Sequence, residues 1–264
     1  MSAERQSAVR RTGRSAVSIL DSLSVFVLLI VAWQVWVSFF NAPEYIVPPP
    51  GDVVSEMVTE ADYLVSSAWV TFQEFTLGFA LAIALGVPLA IGIVSFRPFE
   101  RMVYPILLTS QVVPKIAIAP LFLIWFGFGI EGKILIAFLI AFFPIVLETC
   151  AGLRSLPIEK VYLARSTGAG RLGTFARVRL PNALPAMFTG FKIAVPLAVT
   201  GAVVGEYTGA DGGLGRDILS ASSSGDTAFT FAAVAYVTLM GIAAFFAVTL
   251  VERALLPWHV SRRR

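Results

Sequence analysis

Runs of about twenty apolar residues recur along most of the chain, and this repetition constrains the fold more than any motif does. A helix of that length spans the roughly 30 Å hydrocarbon core of a bilayer. Lipid offers no partners to backbone N–H and C=O groups, so a spanning chain must be helical or a closed barrel. Continuous apolar runs, without strict alternation, select helices. The composition agrees: 57% of the 264 residues are hydrophobic and 14% charged, against about 45–50% apolar in soluble domains. The expectation is an all-α membrane protein.

Six spans are predicted, over residues 17–40, 68–94, 103–126, 134–153, 186–207 and 228–250. The basic tail 1–16 carries Arg10, Arg11 and Arg14, and the apolar run behind it outlasts the ~7–15 residues of a signal peptide without a cleavage site, so it reads as a first transmembrane helix. Segment 41–67 holds Glu44, Asp52, Glu56, Glu60 and Asp62, the rigid turn Pro48-Pro49-Pro50-Gly51, and no lysine or arginine, which places it outside. Arg97 and Arg101, the arginine-rich segment 154–185 and the tail 253–264 then all fall inside. Span count and charge bias agree on cytoplasmic termini. Positive charge spread among the inter-span segments is what orients a membrane protein, and it excludes a nucleic-acid surface.

The third span contains Pro105, Pro114, Pro120 and Lys115. A central lysine costs about 2.5–3.5 kcal/mol on insertion, which the surrounding Val, Ile, Leu and Phe residues offset. Carbonyls freed by proline are tolerated only where protein or a wet cavity covers them, so this span is expected to face the bundle interior.

Little here resembles catalytic chemistry. One cysteine, Cys150, and one histidine, His259, exclude a disulfide framework and a transition-metal site within the chain. The glycine run Gly209, Gly212, Gly213, Gly215 lacks a following GK[ST] and a preceding strand, so it reads as tight turns with positive φ in an external loop. With no catalytic frame present, any ATP must be hydrolysed by another chain. The intramembrane polar residues remain. Gln111 lies one helical turn before Lys115, and that shared face is expected to line a cavity. Glu148 pairs with a base or meets the pathway, Lys192 snorkels to the inner interface or lines the pathway, and Glu206 caps the glycine loop or lines the outer mouth.

Residues 164–185, ARSTGAGRLGTFARVRLPNALP, interrupt this apolar pattern. Pro157 suits a helix start, Ile158, Val161, Tyr162 and Arg165 recur at helical spacing, and the 167–170 stretch Thr-Gly-Ala-Gly ends the helix. A second short helix fits residues 171–178, with Leu172, Phe175 and Ala176 on one side, before Leu180 and Pro181 stop it. Two amphipathic helices on a glycine hinge either lie on anionic lipid or present a knob to a cytosolic partner.

These residues resemble the cytoplasmic signature of permease subunits of bacterial ABC importers with the type I fold: EAA, three residues, G, nine residues, I, one residue, LP. Ala164 matches the second alanine, Gly168 the glycine, Val178 the isoleucine, and Leu180 and Pro181 the final pair; Tyr162 and Leu163 replace the glutamate and first alanine. PKIAIAPLFLIWFGFG at 114–129, AGLRSLP at 151–157 and GAVVGEYTGADGGLG at 201–215 are similar to the nitrate, taurine, sulfonate and bicarbonate branch, and the likeness covers residues 64–252. It implies a multi-pass protein of the bacterial inner membrane, paired with a second and commonly identical permease. It also implies two cytosolic ABC ATPase subunits that hold ATP and Mg, none being bound by this chain, and an extracytoplasmic solute-binding protein. Tyr162, Ala164, Arg165, Gly168, Leu172, Phe175, Val178, Leu180 and Pro181 are then the residues that dock the ATPase. The implied cargo is a small organic or inorganic anion, with pyrimidine or riboflavin-type vitamins handled by related permeases. The rival reading is an ion-coupled secondary transporter or channel that uses Lys115, Glu148 and Glu206 as a relay.

Overall fold

The structure is a computed structural model that describes residues 24–40, 43–209 and 211–257. The tail 1–16, the start of the first span and His259 lie outside the described residues. Every regular element among them is helical: α1 (Ser24–Phe40), α2 (Pro50–Thr59), α3 (Ala61–Ser95), α4 (Arg97–Ser110), α5 (Lys115–Phe126), α6 (Ile130–Arg154), α7 (Ile158–Ser166), α8 (Arg171–Thr174), α9 (Leu180–Tyr207), α10 (Leu214–Ser224) and α11 (Thr227–Leu255).

The chain divides into two compact units. The smaller comprises the described residues up to 61 together with 221–232. In it the proline run does more than turn: Pro49 caps α2 and Pro50 takes its first position, where a missing N–H costs nothing, with Asp52 in the first turn. Thr227 donates its hydroxyl to the Tyr45 carbonyl at 2.9 Å, and Trp33 packs on Phe231 at 5.6 Å.

The larger unit comprises the described residues of 62–220 and those from 233 onward. Its core is an antiparallel crossing of α6 and α9 made possible by glycine. A methyl group added at Gly201 would lie 2.7 Å from the Ala137 Cα, one at Gly190 2.8 Å from the Glu148 Cβ, and one at Gly152 2.8 Å from the Ala183 carbonyl. Small residues on successive turns thus let the two backbones touch, which in lipid replaces the hydrophobic drive that water supplies. α3 joins through Gly78, whose added methyl would lie 2.6 Å from the Ala137 Cβ. Ala137 is therefore wedged between two glycines, with Phe75, Ala82, Ala141, Ile145, Ala194 and Ala198 buried around it.

Among the described residues four helical stretches are long and apolar enough to cross a membrane, Ala61–Ser95, Ile130–Arg154, Arg171–Tyr207 and Thr227–Leu255; a bent pair, α4 with α5, makes a fifth if it counts as one span. That pair corrects the expected third span at 103–126. The chain turns by 101° between Ser110 and Lys115. Pro114 is the cause: it lacks an N–H and disfavours helical geometry at Val113, so α4 closes and α5 restarts after Pro114. Pro105 and Pro120 stay inside their helices. The break also separates Gln111 from Lys115, so the two do not share one helix face.

Two further boundaries differ from expectation. The helix from Arg171 does not stop at Leu180 and Pro181 but runs on to Tyr207 as one stretch of 37 residues. A π turn over Phe175–Arg179 absorbs the proline, with the Leu180 N–H donating to the Phe175 carbonyl. The external loop is also not all turn, since α10 occupies Leu214–Ser224.

Candidate functional site

The polar segment between α6 and α9 forms the first candidate site. α7 ends in a Schellman cap: Gly168 adopts φ +83°, and the Ala169 N–H donates to the Ala164 carbonyl at 3.1 Å. A glycine is required there because a side chain meets its own carbonyl in left-handed geometry. The cap ends α7 and leads the chain into α8. Val161 is buried, while Ile158, Tyr162, Leu163 and Leu172 are exposed at 55%, 62%, 67% and 80%. Ala164 is half-buried, as are Phe175, Val178, Leu180 and Pro181, and Arg165 is exposed. The result is an apolar knob on two short helices. At the ends of α6 and α9 that flank it, Asn182 donates to the Ser155 hydroxyl at 3.0 Å, and Arg154 pairs with Glu100 of α4 at 2.6 Å while lying over the Tyr104 ring.

The membrane-embedded charges lie in separate places. Lys115 begins α5 and sets its ammonium 4.5 Å from the centroid of Phe143, a cation–π contact. Gln111 caps the other side of the break and is exposed. Lys192 pairs with Glu252 of α11 at 2.9 Å. Glu148 is half-buried and packs its stem on Gly190.

Glu206 is 1% exposed and engaged at both oxygens. Oε1 accepts the Thr71 hydroxyl at 2.7 Å, Oε2 accepts the Gly215 N–H at 2.6 Å, and Thr71 in turn accepts the Leu214 N–H at 2.9 Å. The start of α10 is thereby clasped to α3 and α9. Gly209 and Gly213 have φ +132° and +110°, as tight turns require, whereas Gly212 and Gly215 do not need positive φ. Gly213 also lies against the Glu206 carboxyl group, where a Cβ has no room. Gly213→Ala is expected to lower stability by about 1–3 kcal/mol, the usual cost of left-handed strain in a residue with a side chain. Gly212→Ala, which meets nothing within 4 Å, should leave the thermal midpoint unchanged.

Sequence reasoning missed Glu74 and Lys133. Glu74 is fully buried in α3, and Lys133, expected in an outer loop, sits in the first turn of α6 at 5% exposure. They form an ion pair at 3.0 Å. Glu74 carried the signal that drew attention to Lys115, an ionisable residue inside an apolar run.

A bundle of apolar helices with one broken span, buried charges within it and an exposed helix–glycine–helix knob between two of its helices defines a multi-pass membrane permease. The family described as "Binding-protein-dependent transport system inner membrane component" matches residues 82–257, and the chain belongs to that family. Among curated relatives, the formylaminopyrimidine transport permease protein ThiX of Halalkalibacterium halodurans is 36% identical, over 91% of this chain and 96% of that protein. The riboflavin transport system permease protein RibX of Chloroflexus aurantiacus is 35% identical, over 89% and 88%. The nitrate, taurine and sulfonate branch is represented by the taurine transport system permease protein TauC of Escherichia coli, 29% identical over 88% and 87%. In fold, the chain matches a subunit of the MetNI methionine ABC transporter in an inward-facing conformation. The TM-score is 0.65 at 20% identity, with 74% of this chain and 97% of that one covered.

Proposed function

We propose that this chain forms the translocation pathway of an ATP-driven importer, six-spanning with both termini in the cytoplasm, and that it receives a small solute from an external binding protein. Two cytosolic ATPase subunits and a second, identical permease complete the assembly; ATP and Mg reside on the ATPases. The observation that carries this reading is the exposed apolar knob of Tyr162, Leu163 and Leu172 on a short helix held by the Gly168 cap. A rigid helix set between two spans transmits force, so closure of the ATPase pair would tilt the α6–α9 core as one body and switch access between sides. Reconstitution with the ATPase and binding protein tests it. ATP-dependent uptake is expected; uptake driven by an ion gradient without an ATPase would instead support the relay of Lys115, Glu148 and Glu206.

Two substrate classes have support. Lys115, with no carboxylate partner among the described residues, suits an anion such as nitrate, a sulfonate, taurine or bicarbonate. The higher identity to ThiX and RibX favours a nitrogen heterocycle. Lys115→Gln separates them: loss of a charge-assisted contact of ~1.5–3 kcal/mol should cut anion transport about tenfold or more without disturbing assembly. Uptake of a neutral pyrimidine at the normal rate in that variant would favour the second class.

A further inference from the structure

α3, α6 and α9 each bring one ionisable side chain to the same buried spot in the larger unit. Glu74, Lys133 and Glu206 are 0%, 5% and 1% exposed. The Lys133 ammonium lies 3.0 Å from Glu74, and its stem runs along Gly205, the residue before Glu206. Thr71, on the same face of α3 as Glu74, donates to Glu206. Glu74 and Glu206 are thereby brought to one buried spot, Glu206 held by Thr71 and Glu74 one turn farther along the same face of α3.

Their charges do not balance. Two carboxylates meet one ammonium, which leaves a net negative charge where water is excluded, and a buried unneutralised charge is strongly unfavourable. Among the described residues no neighbour supplies the missing positive charge. Tyr207 adjoins Glu206, Tyr63 and Asp217 bond to each other at 2.9 Å, and Arg216 is exposed with its guanidinium on the Asp211 carbonyl. Hydrogen bonding is also incomplete. Glu206 accepts from Thr71 and Gly215 and Glu74 Oε1 takes the Lys133 ammonium at 3.0 Å, but Glu74 Oε2 is buried without a hydrogen-bond partner. A single proton corrects both deficits. It neutralises the surplus charge and gives one carboxyl group an O–H to donate to the other, the arrangement that forces two close carboxylates to titrate as a unit.

We propose that Glu74 and Glu206 form a proton-binding carboxyl pair that holds one shared proton while the clasp on Leu214 and Gly215 is closed. The bond broken on opening is the carboxyl O–H, and the proton passes to water as the two groups separate. Because Glu206 is also the acceptor that fastens α10, occupancy by the proton and closure of the glycine turn are linked.

Infrared spectroscopy of the full-length chain in lipid nanodiscs at neutral pH tests this. The wild type should show the C=O stretch of a protonated carboxyl group, shifted in D2O. Glu74→Gln and Glu206→Gln should each remove that band, since the remaining carboxylate is balanced by Lys133. Lys133→Met should raise its amplitude about twofold, both acids then needing protons to reach neutrality. Should Lys133→Met fail to fold, the wild type and the two near-isosteric glutamine variants still decide. Absence of the band in the wild type overturns the proposal, as does its persistence in both glutamine variants. A wild type without the band whose thermal midpoint rises with sodium would identify a metal cation as the neutralising species instead.

Discussion

Gly201→Val is expected to abolish accumulation of folded protein, or to lower its stability by at least the ~1–3 kcal/mol typical of overpacked cores. At this position α9 touches the backbone of α6: an added Cβ would lie 2.7 Å from the Ala137 Cα and 3.1 Å from its N. Backbone atoms cannot rotate away as a side chain does, so the helices must separate. Separation would also lift Ala137 off Gly78 and disturb α3. Gly241→Val on α11 meets nothing within 4 Å and serves as the control. Fluorescence-detected gel filtration of both variants in detergent gives the comparison, with a monodisperse peak expected only for the control.

Gly168→Val should have the opposite profile, an intact fold with lost coupling. Nothing lies within 4 Å of an added Cβ, so there is no collision, but φ +83° is a conformation that a β-branched residue avoids. The strain, about 1–3 kcal/mol, falls on the cap that sets the direction of α7 relative to α8. Substrate-stimulated ATP hydrolysis in the reconstituted importer is expected to fall about tenfold or more, each 1.4 kcal/mol being one factor of ten. Gly170→Val, two residues on, has neither positive φ nor a close neighbour and should couple normally. Equal activity in both variants would remove the cap from the mechanism.

The two glycines also show which parts of the structure were legible in the sequence. Gly168 lies at the end of a local helical pattern, and its conformation follows from neighbours within five residues, so the end of α7 was readable. Apolar length alone gave α6 and α11 to within a few residues. Gly201 sits in an apolar run with nothing local to distinguish it, because its role depends on Ala137, far away in the chain. The same reason hid the Glu74–Lys133 pair: Lys133, set beside Gly127, Gly129 and Gly132, reads as loop until α3 covers it. The bend between α4 and α5 was half visible. Three prolines announced a broken helix, but only Pro114 lies where the helix on each side could be capped, and which of the three yields is decided by packing.

The central claim is that the knob on α7 and α8 receives an ATPase, and site-directed crosslinking addresses it most directly. The chain's single cysteine, Cys150, is buried, so an introduced thiol is the reactive one among the described residues. Tyr162→Cys and Leu172→Cys, with Leu219→Cys on α10 as the control, should be treated with a short bifunctional reagent in membranes containing the co-expressed ATPase. A permease–ATPase adduct is expected from positions 162 and 172, altered in yield by ATP, and none from 219. Adducts absent from both 162 and 172, or formed only from 219, would contradict it.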